Sequence, residues 1–214
     1  MKQPAEQNVH TDLAITPRFP LPVDVKRIEM FSDGVIAIIL TLMAVGLKRP
    51  TAYELRALQP LLPFLLSYVL SYAVICVCWN SHHQLFHLVM KMDRKSLWAN
   101  LHLLFWLSLL PFATDWMGEG RFARWPTVLY GFVSLMIGLA FMLLHKSLIQ
   151  LHGSFSDTGW IMREVRMEWL SIVLYMLGMG LCFVHPWLGF GLYAVVAAAW
   201  VIPRPLLRTP QSGG

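Results

Sequence analysis

Charge is what this sequence has least of. Lys, Arg, Asp and Glu make up 14% of its 214 residues, where a soluble domain carries about 25%. Hydrophobic residues account for 57%. So few charges cannot cover a water-facing surface. A soluble globular or disordered chain is thereby excluded, and an integral membrane protein built of several helices is expected. Cysteine is also scarce. Cys76, Cys78 and Cys182 all lie inside apolar runs, which excludes a disulfide framework and predicts buried thiols acting as small hydrophobes. Residues 1–26 contain no apolar h-region, so no cleavable signal peptide is expected. The net charge of +5 does not point to nucleic acid, because the basic residues fall in short groups between apolar runs and not on one amphipathic surface.

What the chain does have is six apolar stretches, at residues 28–47, 58–82, 97–117, 127–148, 169–184 and 187–202. A transmembrane helix needs about 20 residues. The last two stretches are short and meet at His185-Pro186. One continuous helix over both would run to about 51 Å, too long for a bilayer. Pro186 would break it in any case, so a tight helical hairpin is predicted. Lys2, Arg18, Lys26, Arg27, Lys91, Arg94, Lys95, Lys146, Arg163, Arg166, Arg204 and Arg208 fall on one side of the resulting alternation. Lys48, Arg49, Arg56, Arg121 and Arg124 fall on the other. The positive-inside rule places the first group, and both termini, in the cytoplasm. The expected organisation is a cytoplasmic segment at 1–26, a six-helix transmembrane domain at 27–202 and a flexible tail at 203–214.

The first stretch carries Asp33, a costly group within an apolar span and a functional candidate for that reason. The competing reading is a hydrogen-bonded group that pins helices together. At about 100° per residue, Phe31, Gly34, Ile38, Thr41, Leu42 and Val45 share roughly one third of the helix circumference. Asp33 falls about 140° from Ile38, on a face with Ala37, Leu40 and Ala44. Small residues there allow a second helix to approach closely. The Ile38 stripe can face lipid, another helix or a pore. In the second stretch, Trp79, His82, His83 and His87 precede Asp93, Asn100 and Pro111. His83 and His87 have the spacing of metal ligands on a helix but lack the Glu of a HExxH site and any cysteine on that face. A histidine donating to Asp33 or to a backbone carbonyl is the expected arrangement, and His82 lies at a suitable depth. The G-x-G-x-x-A pattern at 189–194 follows no strand and predicts helix packing. A Walker loop, a nucleophile elbow, an Arg-rich voltage-sensing helix and a Thr-Val-Gly-Tyr-Gly carbonyl filter are all missing.

Arg27-x-x-x-Phe31-Ser32-Asp33-Gly34 with Thr41, followed by Trp79-x-x-His82-x-x-Leu85-Phe86, Asp93, Asn100 and Pro111-Phe112, resembles the signature of the transmembrane protein 175 family of endosomal and lysosomal potassium channels and their prokaryotic relatives. The resemblance covers roughly residues 27–114. It implies an all-α membrane protein with six helices per repeat, and for a chain of one repeat a homotetramer. It implies a pore lined by the first helices, with Ile38, Leu42 and Val45 at the constriction and Thr41 contributing to selectivity. Val45 stands where leucine is expected and would leave that ring wider. Arg27, Ser32, Asp33, His82 and Asn100 match a structural polar network around the pore.

The expected function is a potassium-permeable cation channel of the cell membrane with moderate preference for K⁺ over Na⁺. Its partners are then lipid, monovalent cations and its own copies; no enzymatic activity, metal, other cofactor or nucleic acid is expected. The alternatives are a proton-coupled transporter or proton pathway using Asp33 and His82, and more remotely a membrane enzyme using the histidines.

Overall fold

The protein was studied as a computed structural model that describes residues 24–152 and 158–201. These residues form six α-helices: α1 (Val25–Val45), α2 (Leu62–His87), α3 (Arg94–Glu119), α4 (Arg124–His152), α5 (Thr158–Leu181) and α6 (Pro186–Val201). The expected all-α, six-helix architecture is present. Helices α1 to α4 are long and apolar enough to cross a bilayer, whereas α6 is shorter. Most of the expected N-terminal segment and the whole C-terminal tail, with Ile202, lie outside the described residues.

Local chemistry sets the helix boundaries. Asp24 caps α1 by accepting from the Lys26 N–H at 3.1 Å, and Asp93 caps α3 by accepting from the Ser96 N–H at 2.8 Å. A carboxylate here satisfies one of the free donors of the first turn. Pro186 opens α6, in the first turn where its missing N–H costs nothing, and the predicted hairpin forms around it. The second span starts later than its hydropathy suggests. Residues Leu55–Leu61 form a 3-10 helix containing Pro60, and Pro63 lies in the first turn of α2. Neither proline can donate an i→i−4 bond, so regular α-helix begins at Leu62. The fifth helix instead starts well before its apolar run, and Arg166 and Glu168 lie within it. Lys146 likewise stands on α4 and not in a connecting loop.

Helix α3 is the keel of the bundle, packed against α1, α2 and α4. Leu103, Leu107, Leu110, Ala113 and Met117 recur every three or four residues and are completely buried, as one face of a 3.6-residue helix requires. Helix α2 also meets α6, and α4 meets α5 and α6. Close approach there depends on glycine. A Cβ at Gly131 of α4 would come within 2.1 Å of the Tyr193 hydroxyl, and one at Gly178 of α5 within 2.5 Å of its ring. The Tyr193 ring of α6 therefore occupies a notch that only glycines leave open. Cys78 and Cys182 are buried free thiols, as expected, but Cys76 is only half-buried. An ion pair between Lys48 and Glu119 ties the end of α1 to the end of α3, so both helices finish on the same side.

Candidate pore face and polar network of the first helix

Helix α1 meets the bundle on one side only. Its buried residues are Ile28, Ser32, Ile36, Ile39 and Met43. Roughly 130° around the axis, the Ile38 stripe is left uncovered. Ile38 is 61% exposed, Leu42 58% and Val45 77%. Thr41 is exposed on the same side, its hydroxyl donating to the Ala37 carbonyl at 2.8 Å. A Cβ at Gly34 would meet no atom within 4 Å. The four expected constriction and selectivity residues thus share one largely apolar face that the described residues leave uncovered.

Behind that face runs a directed chain of hydrogen bonds. The Ile28 carbonyl can only accept, so the Ser32 hydroxyl donates to it at 2.9 Å. Ser32 in turn accepts from Asn100 Nδ2 at 2.9 Å. Asn100 Oδ1 then accepts from His82 Nε2 at 2.9 Å. Ser32, Asn100 and His82 are buried, and together they join α1, α3 and α2. The direction of the chain sets the histidine tautomer, with the proton on Nε2. His82 Nδ1 is buried without a partner, so a second ring proton there would be an unsatisfied donor. Stacking of His82 on Phe86, with centroids 4.1 Å apart, holds the ring in place.

Two expected members stand apart from this chain. Asp33 is half-buried and accepts from Trp79 Nε1 at 2.9 Å; it bonds neither His82 nor Arg27. The reason is angular: Asp33 follows Ser32 by about 100°, which turns it away from Asn100 and towards the Trp79 ring on α2. Asp33 remains an interhelical anchor, with a different donor from the one expected. Arg27 is exposed and joins none of these bonds. His83 and His87 face each other, Nε2 to Nε2, at 3.0 Å, and His83 Nδ1 lies 3.3 Å from Glu29. Among the described residues no group of three or more His, Cys, Asp or Glu could hold a metal ion.

Two buried polar groupings escaped the sequence reading. Ser71 of α2 bonds Thr114 of α3 at 2.6 Å and Tyr130 of α4 at 3.2 Å; the Ser67–Ser71 spacing in an apolar run was its one available signal. His145 of α4 bonds Glu168 of α5 at 2.8 Å, with both side chains buried. Its signal was a carboxylate at the edge of an apolar stretch.

The chain resembles known proteins in both sequence and fold. Residues 27–111 match the family described as endosomal/lysosomal potassium channel TMEM175. A protein from Chryseobacterium sp. (strain P1-3), named a potassium channel, is 42% identical over 177 residues, covering 83% of this chain and 92% of that one. A human protein named endosomal/lysosomal proton channel TMEM175 is 32% identical over 117 residues, covering 49% of this chain and 23% of that one. The fold is similar to the crystal structure of a lysosomal potassium-selective channel TMEM175 homolog from Chamaesiphon minutus. That match has a TM-score of 0.72 at 28% identity and covers 82% of this chain and 95% of the other.

Proposed function

Because this chain belongs to the transmembrane protein 175 family of potassium channels, we propose that its copies assemble with their first helices around a common axis and conduct K⁺ between them. The observation that carries this reading is the pairing of two faces on α1. One face is tied to α2 and α3 through Ser32, Asn100 and His82. The other presents Ile38, Leu42 and Val45 uncovered. A helix fixed in rotation by buried hydrogen bonds holds its opposite face in a set direction. One repeat per chain fits a homotetramer, so four copies of each side chain would form an aliphatic ring.

An apolar ring narrower than a hydrated ion blocks by dewetting, and it conducts when it widens enough for an ion to pass with part of its water. K⁺ gives up water more readily than Na⁺, so a moderate K⁺ preference follows without a ladder of carbonyls. Thr41 adds a hydroxyl beside the ring. The residues of the polar network position α1 and lie off the ion path. The channel is a multi-pass membrane protein, and the cell membrane is its proposed location.

Ile38→Asn tests this directly. Asn is close to Ile in size but supplies groups that hydrate an ion. Single-channel current should rise, and the K⁺/Na⁺ reversal potential under bi-ionic conditions should move towards zero. Unchanged values in a folded, assembled variant would overturn the assignment of the whole stripe.

A second reading has one observation in its favour: the human relative is named a proton channel. A proton pathway here would use Asp33 and His82. Against it, the two residues are bonded to different partners, Trp79 and Asn100, and the chain from His82 ends at a backbone carbonyl. Proton flux abolished by Asp33→Asn and His82→Gln, with K⁺ current intact, would favour this alternative.

A further inference from the structure

Glu168 is 6% exposed, and only one of its oxygens is used. Oε1 bonds His145 Nδ1 at 2.8 Å, while Oε2 has no hydrogen-bond partner among the described residues. The carboxylate lines a cavity of about 90 Å³ between α2, α4, α5 and α6. The walls are mostly apolar, from Val74, Ile137, Phe141, Tyr175 and Trp200. Ser134, whose hydroxyl lies beside those of Tyr130 and Tyr175, lines the same cavity. No lining residue comes from α1 or α3, so the cavity is separate from the proposed pore face and its polar network.

A buried carboxylate oxygen with no donor is costly, and one set beside an open space points to something that fills it. On the same measure one water needs about 10–15 Å³, so the cavity has room for a group of several heavy atoms. An apolar wall calls for an apolar body, and Glu168 Oε2 calls for a donor, best a charged one. A phosphate next to that donor, as in an ethanolamine lipid headgroup, would set negative charge against Glu168. We propose that this cavity is a binding site for a small free primary ammonium carried on an apolar body, donating to Glu168 Oε2, with Ser134 as a second polar point.

Benzylamine is a suitable probe, and benzyl alcohol matches its shape without the charge. With the purified full chain, benzylamine should raise the thermal unfolding midpoint saturably, and benzyl alcohol should not. Glu168→Gln removes the charge and should weaken benzylamine binding about tenfold to a hundredfold, the range for a hydrogen bond to a charged group. That change also disturbs His145, so a second variant is needed. Gly138 lines the cavity, and a Cβ there meets no atom within 4 Å. Gly138→Leu should fill the space, leave the His145–Glu168 pair in place and abolish the benzylamine shift. No shift in the parent protein, an equal shift with benzyl alcohol, or a shift that survives in a folded Gly138→Leu protein would each overturn the proposal. None of these readouts measures current, so failure here is distinguishable from failure of the channel reading.

Discussion

Helices α1 and α3 lie against each other, and each leaves an apolar stripe uncovered. On α1 the stripe includes Ile38, Leu42 and Val45; on α3 it is Trp98, Phe105, Phe112 and Trp116. The exposures are alike, 61% for Ile38 and 63% for Phe112. Exposure alone therefore cannot designate a pore. Chemistry separates the two. The α1 stripe is largely aliphatic, includes Gly34, and lies opposite a buried hydrogen-bonded chain. The α3 stripe is bulky and aromatic, with leucines on the buried side of its helix. Aromatic rings suit lipid and its interface. Aliphatic side chains on a helix held in fixed rotation suit close packing around an axis.

Removing the backing of each stripe should separate packing from orientation. Leu107 is fully buried at the centre of α3. Leu107→Ala should cost about 2–5 kcal/mol through lost burial and the cavity left behind. The loss should appear as a lowered unfolding midpoint, with the K⁺/Na⁺ reversal potential unchanged in the molecules that remain folded. A shifted reversal potential would show that the core of α3 also sets the geometry at α1, and the contrast between the two stripes would fail.

Asn100→Ala should have a smaller effect on stability and a larger one on function. It removes two hydrogen bonds that link three helices, at a cost of about 1–3 kcal/mol. Ser32 loses its donor and His82 its acceptor, so α1 is freed to rotate. Reduced tetramer and reduced K⁺ flux per folded subunit are expected, measured by chromatography in detergent and by liposome flux. Full flux at lowered stability would mean that packing alone orients α1.

Much of this arrangement was legible in the sequence because helical geometry is periodic. The Ile38 stripe and the Asp33 face of α1 follow from 100° steps, and the turn between α5 and α6 follows from Pro186. Ser32, Asn100 and His82 were nameable together through the resemblance to the family's polar network; from the residues alone only Asp33 and a histidine stood out. The pairing of these groups was not legible, since it depends on how α1, α2 and α3 are rotated against one another. Asp33 illustrates this: its donor is the Trp79 indole, not the His82 ring that the depth of the two residues suggests. Glu168 was missed for another reason. Hydropathy discards charged residues from a span, so the fifth apolar stretch begins one residue beyond it, at Trp169. The helix actually runs from Thr158, because backbone hydrogen bonding does not require an apolar sequence, and the discarded carboxylate is buried against His145.

The smallest expected effect tests how the α3 stripe is held from its N-terminal end. Asp93 caps α3 outside the spanning segment. The Ser96 side chain and backbone N–H beside it hold its carboxyl below the usual carboxylate range. A depressed folded value means that the charge stabilises the folded state. That contribution is complete above the unfolded value of about 3.9. It is lost as pH falls below that and through the folded value. Asp93→Asn keeps an equally good cap but cannot ionise. What it removes is the charge at a helix N-terminus, worth about 0.3–1 kcal/mol and towards the lower end at a solvated site. Its unfolding midpoint should therefore lie slightly below that of the parent at pH 7, and the gap should close below about pH 3.9. Asp93→Ala loses the cap as well, so its deficit should be larger at pH 7 and should persist in acid. A gap between parent and Asp93→Asn that does not change with pH would show that the carboxylate acts only as a hydrogen-bond acceptor, with the charge contributing nothing to holding α3.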